Sequence, residues 1–358
     1  MTLRPDECVQ RGLVSTTSRL LGEYETDGWL FTHAWGDHSD QAWSRWSEGP
    51  ASRSGYVVAF QTPAPDPESN MRPEYNGAIE IICSFMAVLY GKRFDSHGLI
   101  ESSGLFYTPE LSAFGQLCDQ NSPHNSHRVR VDYPVPLNLV EIPRIAPLLL
   151  FEEPDTAAAT FEAAAKFYLR ALQSIEQDRE VAYLHLVTAG EVLSNACDYP
   201  SEQLLDEQTR TALDRVVAGI DGGEAIAALL SGRLRQIKRR FVRAIVDFVD
   251  PPFFDRREAK YEYAALKADS FEKTIAAAYD VRSMYLHTGV PFGGWMRPRA
   301  DYGEVQLGEP VVEGRDFAKA LANAPTFTGL ERVVRYCLLR FAESQGLYLP
   351  PEAGTGDA

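Results

Sequence analysis

Apolar residues recur at helical spacing from about residue 156 onward, whereas the chain before that point is irregular. Over 156–177, Phe161, Ala164, Ala165, Tyr168, Leu172 and Ile175 line one side of a predicted first helix. A second helix is predicted over 178–196. There Leu184, Thr188, Glu191 and Asn195 share a face, and so polar a seam on a core-facing helix requires partners. The stretch 202–230 is acidic and breaks at Asp221-Gly222-Gly223. Leu234, Ile237, Phe241, Ile245 and Phe248 then give an amphipathic helix over 233–249.

The next helix is expected to start at a capping box of Asp269 and Glu272 and to stop at Gly289 and Pro291. Its inward stripe is Phe271, Ile275, Ala278 and Tyr285, with Arg282 in the middle of that stripe. The segment 291–325 reads as a long loop. A last helix, capped by Thr328 and Glu331, presents Leu330, Val334, Cys337, Leu338 and Phe341, and 350–358 reads as a disordered tail.

Residues 1–150 read as a mixed α+β domain. The alternation of 55–61 and 128–133 predicts strands, and the length and alanines of 76–90 favour a buried helix. Prolines 143, 147 and 154 mark a boundary, so a helical domain is expected over 151–349. Trp29, Trp35, Trp43 and Trp46 suggest either a stacking platform or a core filled by large side chains, and the core reading is preferred. His33 with His38, and Cys118 with His124 and His127, lack zinc spacing and read as surface loops, so neither a metal nor a cofactor is expected.

Composition narrows the function classes. A net charge of −15 argues against a general polyanion binder, so any nucleic-acid contact must be a local basic patch. Arg235, Lys238, Arg239, Arg240 and Arg243 on the amphipathic helix supply one such concentration; a solvated face balanced by acidic neighbours is the alternative. Five widely spaced cysteines without a CxxC pair fit reduced thiols in the cytoplasm. No apolar run is long enough to suggest a membrane span.

The candidate chemistry lies in Tyr279-Asp280-Val281-Arg282-Ser283-Met284-Tyr285-Leu286-His287-Thr288-Gly289. An arginine among core positions must snorkel, find a carboxylate or await an anion, and Glu191 is the carboxylate expected to hold it. His287 falls in the last helical turn, where the helix dipole favours a cation. On an ideal helix Arg282 and His287 lie roughly 140° apart and about 7.5 Å along the axis. Either the helix loosens near His287, or a working site combines two chains.

This stretch resembles the R-x4-6-H motif of HEPN domains, and Tyr279-Asp-x-Arg-Ser with His287-Thr-Gly is most similar to the Apea-like branch. Ala189-Gly-Glu191-Val-Leu193 resembles that branch's glutamate-bearing second helix. The resemblance spans about 155–345 and rests on helix order beyond the motif. It implies an all-α HEPN-type bundle, usually dimeric, and in active members a metal-independent endoribonuclease of toxin or antiphage defence. Arg282 would then bind the scissile phosphate, His287 would be the general acid/base, Glu191 would orient them, and RNA would also meet Ser283, Arg235, Lys238, Arg239 and Arg243. Ser283 stands where the family commonly carries Asn or Asp. The alternatives are a catalytically silent HEPN module that dimerises and binds nucleic acid or protein, and an N-terminal ligand binder for which the bundle is only a platform. On the nuclease reading, the N-terminal domain or a partner such as a phage protein would detect the trigger.

Overall fold

The structure is a computed structural model that describes residues 4, 6–34, 53–66, 68, 73–120, 122–150, 155–200, 204–205, 207–233 and 237–350. Trp35, His38, Trp43, Trp46, Leu234, Arg235 and the 351–358 tail lie outside the described residues.

A six-stranded antiparallel sheet comes first, in the order β2-β3-β4-β1-β5-β6. Its strands are β1 (Glu7–Thr16), β2 (Tyr24–Glu25), β3 (Trp29–His33), β4 (Ser54–Pro63), β5 (Phe94–Ser102) and β6 (Leu105–Phe106). β1 runs centrally between β4 and β5 and is buried over most of its length. Both of its faces are covered, which removes the alternation that would have announced it as a strand. One face receives helix α1 (Asn76–Tyr90), which comes so close that a Cβ on Gly12 would stand 2.3 Å from Ile79 Cδ1. The rest of β1 is fastened by polar contacts: Gln10 donates to Thr62 and Ser103, and Ser15 bonds His97 at 2.8 Å. Trp29 stacks on Phe31 and tilts against Phe60, so of the tryptophan cluster this member packs on the sheet.

The helical part follows: α2 (Thr156–Ser174), α3 (Arg179–Asn195), α4 (Glu207–Gly219), α5 (Gly223–Arg233), α6 (Ile237–Phe248), α7 (Pro251–Asp255), α8 (Phe271–Thr288), α9 (Arg315–Asn323) and α10 (Phe327–Ser344). Asp155 caps α2 and Asp178 caps α3, each accepting a backbone N–H three residues on. Helix α10 is the hub. Fifteen of its eighteen residues are buried, and it packs on α1, α2, α3 and α6. One continuous hydrophobic cluster runs from Val14 of the sheet to Tyr348, joining the sheet to the helices without a break.

Several local expectations are corrected. Residues 128–133 form no strand; the segment is irregular, and Arg130 and Asp132 turn inward from it. Thr326, not Thr328, caps α10, because Glu331 is engaged in the interior. Helix α8 has no side-chain cap and is led in by a 3-10 turn over Ala268–Ser270. The presumed loop 291–325 contains α9 and the fully buried Glu304, which accepts from the backbone of Glu258 and Leu266. His124 sits on no surface loop: it is buried against Phe327.

Candidate functional site

Helix α8 runs unbroken through Thr288 and ends where Gly289 turns left-handed at φ 69°, its N–H donating to Tyr285 O across 2.8 Å. The helix therefore does not loosen at His287. Its buried stripe is Phe271, Thr274, Ile275, Ala277, Ala278 and Val281, rotated from the expected one, so Arg282 lies on the flank of the stripe rather than at its centre. Arg282 is half-buried, and His287 and Leu286 project into solvent.

Arg282 meets the carboxylate that its sequence called for. Its Nη2 donates to Glu191 Oε2 at 2.9 Å, across the α3–α8 contact, with side-chain exposures of 22% for Arg282 and 14% for Glu191. The guanidinium also lies 5.6 Å from the Tyr279 ring centroid, a cation–π distance. Tyr279 leans on Phe241 of α6 at 5.5 Å and shares Glu191 with Arg282. Burial first, and the Glu191 carboxylate second, raise the phenol's pKa, so its hydroxyl keeps its proton as a donor. Arg282 Nε is buried and has no hydrogen-bond partner among the described residues. A partly exposed guanidinium, oriented by one carboxylate and one ring, is suited to an anion such as a phosphate.

The α3 wall of this site is set by Gly190. A Cβ there would approach Phe241 Cε2 to 2.6 Å, so the glycine lets α6 close on α3 beside Glu191. The polar seam read on α3 lies along the half-buried flank and not in the core. Thr188 bonds back to Leu184 O, and Asn195 is exposed.

The basic residues of α6 are largely engaged. Lys238 Nζ donates to both oxygens of Asp280 at 2.6 and 2.7 Å, Arg243 pairs with Asp247 at 3.0 Å, and Arg239 donates to Leu204 O. Ser283 is half-buried next to Arg282 on α8. Among the described residues, no group of three His, Cys, Asp or Glu side chains is placed to hold a metal ion.

Sequence reasoning missed a second polar system. Arg130 forks onto Glu331, Tyr168 donates to the same carboxylate, Arg335 pairs with Asp132, and Arg332 with Glu304. Near it, Lys92 Nζ donates to Pro123 O and to Ser126 O, and Arg53 and Arg93 converge on Asp95. The available signal was α10 itself, where charged residues interrupt a helix whose apolar positions already cover more than one side. Arg130, Glu331, Arg335 and Asp132 are buried, and their network joins the sheet segment to the helices.

Comparison of the chain with family models, with curated proteins and with solved structures gives no match. No helix among the described residues is long and apolar enough to cross a membrane.

Proposed function

We propose that this chain is a metal-independent endoribonuclease of HEPN type, working as a homodimer in the cytoplasm. One observation carries the reading: Arg282, held by Glu191 and Tyr279, keeps a partly exposed guanidinium five residues before the solvent-facing His287. RNA carries its own nucleophile. The 2′-hydroxyl attacks the adjacent phosphorus, the P–O5′ bond breaks, and a 2′,3′-cyclic phosphate and a free 5′-hydroxyl result. Such chemistry needs a proton carrier with a pKa near neutrality and a fixed cation at the phosphate, and no metal. His287 would move the proton, Arg282 would take up the developing charge, and Glu191 would position Arg282.

Because α8 is regular through Thr288, the two groups point roughly 140° apart in one protomer. A two-fold partner would bring Arg282 of one chain toward His287 of the other. The helices α2, α3, α6, α8 and α10 would form the HEPN bundle. A role in toxin or antiphage defence, with a trigger sensed at the sheet segment, follows by analogy with the family.

A second reading is a catalytically silent HEPN module that dimerises and binds a protein. The pairing of Lys238 and Arg243 with carboxylates favours it, because it reduces the charge free to track RNA. RNA cleavage in the presence of EDTA, lost in Arg282→Ala and His287→Ala proteins that still fold, separates the two. Absence of cleavage by the wild type leaves the silent module.

A further inference from the structure

A cleft of about 450 Å³ opens where β5 and α1 meet α2 and α3, away from the motif site. That volume suits a small polar metabolite. Its floor is rigid. Arg93 donates to Asp95 at 3.0 Å and to Gln116 Oε1 at 2.8 Å, and Gln173 donates to Phe94 O at 2.9 Å. Gln116 thus spends its acceptor and retains amide N–H donors, whereas Gln173 retains its acceptor. His185 of α3 also lines the cleft. Burial, and secondarily Arg170, lower its pKa, so the neutral ring offers one donor and one acceptor.

The rim differs from the floor. Lys166 and Arg170 stand one turn apart on α2 and both line the cleft. Arg170 faces Glu80 of α1 at 3.6 Å, beyond hydrogen-bond length, with side-chain exposures of 61% and 58%. Lys166 bonds Glu162 at 2.6 Å on the helix surface. Exposed pairs of this kind are weak, so an arriving anion competes for both cations at little cost. The floor's charges, Arg93 and Asp95, pair with each other and with Glu176 and Arg53 beyond the lining, so they already balance. The cleft therefore asks for an uncharged, hydrogen-bonding body with one anionic group at its outer end.

We propose that this cleft binds a phosphomonoester of nucleoside or sugar size, its phosphate taken by Arg170 and Lys166 and its polar body by Gln116, Gln173 and His185. The site stands independently of the nuclease reading, because no residue of it belongs to the motif.

Isothermal titration calorimetry on the full chain tests it, using adenosine 5′-monophosphate, glucose 6-phosphate, adenosine, glucose and inorganic phosphate. At least one ester is expected to bind with a Kd below about 1 mM, and about tenfold or more tighter than its phosphate-free form and than inorganic phosphate. The arm that responds distinguishes a nucleoside ester from a sugar ester. Arg170→Ala with Lys166→Ala, both at exposed positions, should weaken that ester about tenfold, and Glu80→Gln should tighten it severalfold by removing the competing carboxylate. The proposal is overturned if neither ester binds, if the phosphate-free form or inorganic phosphate binds as tightly, or if the double variant leaves affinity unchanged.

Discussion

Arg130 meets Glu331 in a two-bond fork, Nη1 to Oε1 and Nη2 to Oε2, each at 2.7 Å and with both side chains 1% exposed. The fork ties the irregular 128–133 segment to the second turn of α10. It leaves room for nothing else: a Cβ on Gly91, at the end of α1, would come within 2.7 Å of Arg130 Cγ and of Arg335 Nε. Breaking one half strands a buried charge, so Glu331→Ala should cost about 3–5 kcal/mol. Arg130→Met combined with Glu331→Leu should cost less than the two single losses together, because the charges leave as a pair. Urea unfolding of Arg130→Met, Glu331→Leu and the double variant checks this; a double cost equal to the sum of the two single costs would contradict it.

Acid should weaken the fold through His124. Its pKa is held well below the ordinary histidine value, first by burial and then by the neighbouring Arg130, Arg93 and Lys92, with Glu176 4.0 Å away. The folded pKa is thus below the unfolded one, and between the two the unfolded chain holds a proton that the folded chain lacks. Stability is fully present above about 6.5 and falls as the pH drops through that window, by up to about 1.4 kcal/mol per pH unit. A His124→Phe protein should lose this component. Parallel unfolding curves between pH 7.5 and 5 should therefore show the gap from wild type changing with pH. A constant gap would contradict the prediction.

Glu191 should act on rate more than on fold. Glu191→Gln keeps shape and half-burial but weakens the hold on Arg282, so RNA cleavage should fall about 10–100-fold while the melting temperature stays close to wild type. Glu191→Asp, one methylene shorter, should recover part of the loss. Circular dichroism melts beside initial rates decide it: a large loss of stability with unchanged rate would make the pair merely structural.

Much of this was legible in the sequence. The helical half reads directly, because α2 and α6 each bury one stripe at 3.6-residue spacing and are separated by Gly or Pro breaks. The pairing of Glu191 with Arg282 was legible for a similar reason, since a guanidinium near a core stripe demands a carboxylate on a neighbouring helix. The sheet was less so. β1 carries Gln10, Ser15 and Thr16 inside, each satisfied by side chains or backbone far along the chain, and no local pattern reveals partners 52, 77 or 82 residues away. The inward turn of Arg130 and Asp132 was hidden likewise, because alternating Arg and Val resemble a strand until the partners on α10 are known.

Complementation should reveal a site shared between chains. On the dimeric reading, Arg282→Ala and His287→Ala proteins, each expected to be inactive alone, would form a mixed dimer in which one Arg282 and one His287 remain on opposite protomers. Mixing them after subunit exchange should restore a substantial fraction of wild-type cleavage. Persistent inactivity of the mixture, with mixed dimers demonstrated by tagged pull-down, would place the working residues within one chain.

The most direct measurement is cleavage of a fluorescent single-stranded RNA by the purified full chain in excess EDTA, with the products' ends analysed. The account predicts cleavage that EDTA leaves intact, ends bearing 2′,3′-cyclic phosphate and 5′-hydroxyl, and a loss of about 100-fold or more in Arg282→Ala and in His287→Ala. Cleavage abolished by EDTA, or undiminished in both folded variants, would contradict it.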